Sequence, residues 1–257
     1  MKIIEFFGLP FSGKTHEEKN LVKLLNNNKI YNYNTIFIYY LYKEKKINFV
    51  EYFVIKKFLD RKNFKDKKIL GQKINRDKNT FINNIKKKIF FNFSIKKNKK
   101  KKKYYKKNKG KYIKLQKLIN IYVKNQPVNR TKKIRKWMND QIIAYDIAKK
   151  DKSNNLMINS EGFIQRLLSL NLYLKKINIK SNYKILQSMP KADYFIYIKE
   201  NNSEIIKRMS KLNYQNSIYF KKITNLNLVL KEITGYMIQK KLIMLNKKNY
   251  SNFFKKF

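Results

Sequence analysis

Cysteine is absent from the chain, which excludes disulfides, thiolate zinc sites and cysteine nucleophiles together. Histidine occurs once, as His16, and cannot build a metal cluster alone. No run approaches the roughly 18 to 20 apolar residues that a membrane span needs. Only seven residues precede the first glycine, too few for a secretory apolar region, so no membrane span and a cytoplasmic location are expected. Acidic side chains are few, 16 against 62 basic ones, and the net charge is +46.

Such a balance points first to nucleic acid or to an anionic membrane surface. The rest of the composition offers a different cause. Gly and Pro number only 6 and 3, alanine occurs only at Ala144, Ala148 and Ala192, and Lys, Asn, Ile, Tyr and Phe fill the space. The abundant types are those that AT-rich codons specify. Arginine, the side chain suited to forked phosphate and base contacts, is restricted to Arg61, Arg76, Arg130, Arg135, Arg166 and Arg208. The charge therefore reads as compositional drift, with incidental polyanion binding as its physical side effect.

Apolar residues still make up 43% of the chain and aromatics 15%, enough for a folded core. A length of 257 residues fits one domain with insertions. Residues 2–7 form an apolar, β-rich run stopped by Gly8, as in a buried parallel strand. A helical pattern with Glu17 and Glu18 in its first turn follows over 16–26. Residues 35–42 fit a strand and 47–59 a helix. An insertion is expected around 60–130, helical and of low complexity. Within it 96–111 is a like-charged block that reads as a flexible loop, the candidate for any polyanion contact. Helical spacing returns at 115–122 and 134–148. Strand-like runs at 155–159, 192–198 and 242–245 then alternate with helical patterns at 163–174, 203–212 and 226–240. Strands separated by helices predict a parallel sheet covered on both faces, with ligands at the strands' carboxyl ends.

The strongest motif is Gly8-Leu9-Pro10-Phe11-Ser12-Gly13-Lys14-Thr15. Gly8 and Gly13 let the backbone curl so that successive amide N–H groups face phosphate oxygens, and Gly8, Pro10, Ser12, Gly13, Lys14 and Thr15 are the candidate nucleotide-binding residues. Lys14 can reach the β and γ phosphates, and the Thr15 hydroxyl can ligate Mg2+. The motif lies between a strand pattern and a helix pattern, the context it requires. A second constellation is Asn159-Ser160-Glu161-Gly162-Phe163-Ile164-Gln165-Arg166, where a carboxylate after a central strand could hold magnesium water or orient or deprotonate an attacking hydroxyl, and Arg166 could offset phosphoryl charge. A capping Ser and Glu with a solvated Arg is the plainer reading of the same residues. Arg208, with Lys211 after it, lies on the Lys-rich 203–212 helix, where an isolated arginine ordinarily faces solvent. Arg130, Arg135 and Trp137 precede the second constellation and could clamp an anionic or ring-shaped acceptor. Trp137 fits a core position equally well.

The loop resembles those of small-molecule kinases more than those of translation GTPases. The three segments together resemble P-loop kinases of the thymidylate kinase-like and deoxynucleoside kinase-like group, and are most similar to a subgroup whose second segment reads Asp-Glu-Gly followed by Gln-Arg. Ser160 departs from that pattern. The resemblance covers residues 1–26 and about 153–245. It implies an α/β three-layer sandwich with a parallel, five-stranded sheet that binds ATP and Mg2+. The implied activity is transfer of the γ-phosphoryl group to a small molecule such as a nucleoside, nucleotide or sugar. Lys14, Glu161, Arg166 and Arg208 would be its catalytic residues, and the resemblance makes Arg208, ahead of Lys211, the mobile lid cation that closes over ATP. Two other classes compete: a P-loop ATPase or GTPase without an acceptor, though no Asn-Lys-x-Asp segment is present, and a polybasic nucleic-acid-binding protein.

Overall fold

The apolar run that opens the chain becomes the central strand of a sheet. The computed structural model describes residues 1–25, 29–33, 35–53, 55–56, 98–124, 127–172, 179–214 and 216–255. In it β1 (Lys2–Phe7) pairs in parallel with β3 (Leu156–Asn159) on one side and β4 (Tyr194–Tyr197) on the other. β2 (Ile30–Tyr31) extends the sheet beyond β3, and β5 (Met244–Asn246) extends it beyond β4. The five-stranded sheet is all-parallel, in the order β2-β3-β1-β4-β5.

Parallel pairing needs crossovers, and helices supply them. α1 (Lys14–Leu24) follows β1, and α2 (Ile36–Lys43) follows β2. α3 (Ile113–Val123) and α4 (Val128–Lys150) lead into β3. α5 (Phe163–Asn171) and α6 (Ile179–Ser188) join β3 to β4. α7 (Asn202–Lys211), α8 (Ile218–Lys221) and α9 (Ile223–Gln239) lead to β5, and α10 (Tyr250–Phe254) follows it.

The period-2 geometry of β1 decides which helices cover which face. Ile4 and Phe6 point into a cluster with Leu21 and Leu25 at α1 and with Tyr250 and Phe254 of α10. Burying a side chain such as Phe6 completely is worth about 1.5–3 kcal/mol. On the alternate face Glu5 meets Tyr145 of α4 and the first turn of α5. Helices thus cover both faces of β1, an arrangement compatible with a three-layer sandwich. α4 presents most of the stripe expected from its spacing, with Ile134, Met138, Ile142, Tyr145 and Ala148 buried and Trp137, expected on the same face, half-buried. α7 is held by Ile205 and Met209, four residues apart on one face.

The chain divides into two compact units, one of Met1–Tyr33 with Lys111–Phe257 and the other of Asn34–Gly110. The first holds the sheet. α3 and α4, part of which fell in the insertion expected around 60–130, belong to it. In the second, residues 35–42, read above as a strand, fall in and just before the helix α2, because Ile36, Phe37, Ile38 and Leu41 bury one helical face. Tyr42 stacks on Tyr52 at 4.6 Å. Residues 98–108 are helical rather than the loop expected from their lysines. Lys101, Tyr104 and Asn108 recur at helical spacing: Lys101 lies 5.6 Å from the Phe37 ring centroid, and Tyr104 packs edge-on against Tyr40 at 5.4 Å. Lysine stems and two tyrosines give this helix an apolar side despite its charge. The expected 47–59 helix is described for 49–53 and 55–56, and residues 57–97 lie outside the described residues. Among the described residues no helix is long and apolar enough to cross a membrane.

Candidate functional site

The register of the sheet brings three loops together. Glu5 stands beside Asn159 and Phe7 beside Tyr197, so the segments that leave β1, β3 and β4 emerge at one edge. Strand order also reverses around β1, the place where open α/β sheets bind ligands.

Gly8 to Gly13 turn sharply between β1 and α1. A Cβ at Gly8 would stand 2.5 Å from the Ile198 carbonyl oxygen, so the close approach of β4 requires glycine there. Gly13 has φ +95 and requires glycine for its conformation. Phe11 adopts φ 65, unusual for a bulky residue. Its ring is pinned between Tyr214 at 5.1 Å and Tyr219 at 6.4 Å. Lys14 folds back over the turn, its Nζ donating to the carbonyl oxygens of Leu9 at 2.7 Å and Gly8 at 3.2 Å. Burial lowers its pKa to about 8, and the Glu161 carboxylate partly offsets that fall. Ser12 is 2% exposed and its Oγ has no partner. A buried hydroxyl left unpaired inside a turn of backbone amides fits an oxygen-rich anion.

The segment after β3 is fixed from behind. Asn159 Nδ2 donates to Gln141 Oε1 at 2.7 Å, Gln141 Nε2 donates to the Glu161 carbonyl at 2.9 Å, and the Glu161 N–H donates to Asn159 Oδ1 at 3.1 Å. The Glu161 side chain pairs with Arg166 at 2.8 Å, and the Arg166 guanidinium lies 4.5 Å from the Trp137 ring centroid. Ser160, the departure from the acidic pattern, holds a different carboxylate. Burial raises the pKa of Glu18 in α1, while hydrogen bonding from the Ser160 hydroxyl lowers it and the nearby Glu161 charge raises it again.

Beneath this turn lies Glu5, fully buried in β1. It accepts from the Tyr145 hydroxyl and, at 2.7 Å, from the Ile164 N–H at the start of α5. Burial pushes its pKa up to about 7 against these hydrogen bonds. A Cβ on Gly162 would come 2.2 Å from the Glu5 carboxyl carbon, so glycine is needed for this approach.

From β4, Arg208 of α7 reaches back to the glycine turn. Its Nη1 donates to the Phe11 carbonyl at 3.1 Å, and its Nη2 pairs with Glu200 at 2.8 Å.

A cleft of about 840 Å³ opens over these groups. Pro10, Ser12, Gly13, Lys14 and Thr15 line it from the turn, as do Glu161, Arg166, Arg208 and Trp137 from the other segments. Gly8 contributes through the carbonyl that Lys14 holds. Arg135 lies elsewhere, in a separate groove with Asn120 and Val128 between α3 and α4, and the exposed Arg130 does not line the cleft. Among the described residues no group of three His, Asp or Glu side chains could hold a metal. The Thr15 hydroxyl and the Glu161 carboxylate fit a hard cation only if phosphate oxygens complete its shell.

Sequence reasoning missed Glu5, Gln141, Glu18 and Glu200 as parts of this site. A charged residue inside an apolar strand was the one available signal, at Glu5. The others become significant only through partners far along the chain. Comparison with protein-family models, with curated proteins and with solved structures finds no match.

Proposed function

We propose that the chain is a P-loop phosphotransferase that moves the γ-phosphoryl group of ATP to a small-molecule acceptor. The observation that carries this reading is the convergence on one turn of Lys14, of the unpartnered Ser12 Oγ and of Arg208, which touches the turn from 197 residues away. Phosphoryl transfer asks little covalent chemistry of a protein; positioning and electrostatic stabilisation do most of the catalysis. Backbone amides of the 8–15 turn would hold the triphosphate, and Lys14 would swing from the Gly8 and Leu9 carbonyls to its β and γ oxygens. Arg208 would stabilise the charge that develops at the transferring group. Glu161, fixed by Asn159 and Gln141 and bridged to Arg166, would accept the acceptor's proton. The Thr15 hydroxyl would help to hold a Mg2+ ion, which when bound would supply neutralisation of phosphate charge.

The test is transfer of label from γ-labelled ATP to a mixture of small hydroxyl and phosphate acceptors. Lys14→Ala is expected to lower the rate at least roughly a hundredfold, a loss of about 3 kcal/mol of transition-state stabilisation. A near-normal rate in that variant contradicts the reading. A parallel measurement of phosphate release without acceptor separates a kinase from a hydrolase.

A further inference from the structure

Away from the cleft, α3 and the first turns of α4 enclose a groove of about 600 Å³. Thr131 Oγ1 donates to the Val123 carbonyl at 3.2 Å and ties the two helices together. Ile121 and Val128 line the groove, and both are 68% exposed, more than any other large apolar side chain among the described residues. One exposed aliphatic residue is ordinary, whereas two in a single recess, one from each helix, mark a surface built for contact.

The charge around these two residues has one sign. Lys124, Lys132 and Arg135 line the groove and no carboxylate does, and the sequence has no Asp or Glu from 78 to 139. Lysine is abundant throughout the chain, but arginine is limited to six positions, and Arg166 and Arg208 are each paired with a carboxylate at 2.8 Å. Arg135 pairs with none among the described residues, so its forked guanidinium is open to a carboxylate from outside the chain.

We propose that this groove docks an acidic, amphipathic segment of another protein, whose aliphatic side chains pack on Ile121 and Val128 while its carboxylates pair with Arg135, Lys124 and Lys132. Charge complementarity selects this occupant. A second copy of the chain, itself at +46 with 16 acidic residues, would bring like charge to a positive surface. Nucleic acid would satisfy the cations but leave Ile121 and Val128 without apolar contact, and no aromatic ring lines the groove to stack a base. Aliphatic anchors beside cations match a short segment with leucine-like side chains on one face and carboxylates next to them. None of these residues lines the cleft, so docking here needs no phosphotransferase activity.

The full chain is titrated against fluorescein-labelled synthetic peptides of Glu, Ala and Leu, with leucines spaced i,i+3, i,i+4 or i,i+7, and binding is read by anisotropy. Companion peptides carry Ser in place of Leu, and a labelled oligouridine serves as the nucleic-acid probe. A leucine-containing acidic peptide is expected to bind saturably, and its Ser companion roughly tenfold more weakly. Arg135→Glu should weaken the leucine peptide at least roughly tenfold and Ile121→Ser roughly fivefold. Both side chains are exposed, so neither change puts the fold at stake. Lys240→Glu, the same change of charge at an exposed position just after α9, should leave the affinity within about twofold. Absence of saturable peptide binding, equal binding of the Leu and Ser peptides, or equal losses in Lys240→Glu and Arg135→Glu overturns the proposal. Oligouridine binding that Arg135→Glu abolishes while the peptides fail would make the groove a nucleic-acid site and overturns it equally.

Discussion

Glu5 is the most consequential single side chain outside the cleft. Its pKa rises from an ordinary 4.5 to about 7 because burial disfavours the carboxylate more than its hydrogen bonds favour it. Between these values the folded chain holds a proton that the unfolded chain has released. Stability from this group is therefore complete below about pH 4.5 and is lost as pH rises through about 7. The change corresponds to about 3 kcal/mol at 1.36 kcal/mol per pH unit. Unfolding by urea at a series of pH values should show wild-type stability falling from pH 5 to 8 relative to Glu5→Gln, which keeps a neutral group of the same shape. Parallel profiles for the two proteins would refute the assignment.

Lys14 makes an opposite kind of prediction, since on the proposed reading its charge would be needed to bind the triphosphate. With its pKa lowered to about 8 by burial, the ammonium is lost in the free protein as pH rises past that value. MgATP affinity should weaken progressively above pH 8. Glu161→Gln removes the carboxylate that partly restores the lysine's charge, so weakening should begin at lower pH in that variant. Calorimetric titration across pH 6.5 to 9.5 measures both, and coincident profiles would contradict the coupling of Lys14 to Glu161.

At the scale of elements, the contact that ties β1 to α5 passes through Gly162. A methyl group there meets a carboxylate that is itself fixed by Tyr145 and Ile164, so neither side can move cheaply. Gly162→Ala should cost about 1–3 kcal/mol, the usual range for overpacking. Combined with Glu5→Ala, which removes the obstacle, it should cost less than the sum of the two single changes. Strict additivity in denaturant titrations would show that the pair does not share this contact.

Elements also mark where the sequence was readable. The strands at 2–7, 155–159 and 192–198 and the stripe on α4 were visible because buried parallel strands and an amphipathic helix each leave a strong periodic trace. β2, two residues long, leaves none. Residues 35–42 misled because Ile, Phe and Tyr favour strands, whereas burial of one helical face decided the matter. The 98–108 helix was hidden by its lysines, since the Phe37 and Tyr40 rings that receive it lie some sixty residues earlier. In the cleft the glycine turn, Glu161, Arg166 and Arg208 were legible because local motifs carry them. Their supports, Gln141, Glu18 and Glu200, were not, because a polar residue gains meaning there only from its spatial partner.

For the whole molecule, the charge of +46 and the cleft pull in different directions. A strongly positive chain attracts any polyanion and favours the approach of a triphosphate without choosing between them. On the proposed reading selectivity would come from shape, and the first unit has the parts for it: a parallel sheet whose order reverses at β1, with a glycine turn, a carboxylate segment and a cation-bearing helix at one edge. The measurement that tests this most directly is a crystal structure with a non-hydrolysable ATP analogue and Mg2+. The triphosphate is expected along the backbone of residues 8–15, with Lys14 turned from the Gly8 and Leu9 carbonyls to the β and γ oxygens and Arg208 beside them. An analogue bound away from that turn, or a turn unoccupied at saturating analogue, would contradict it.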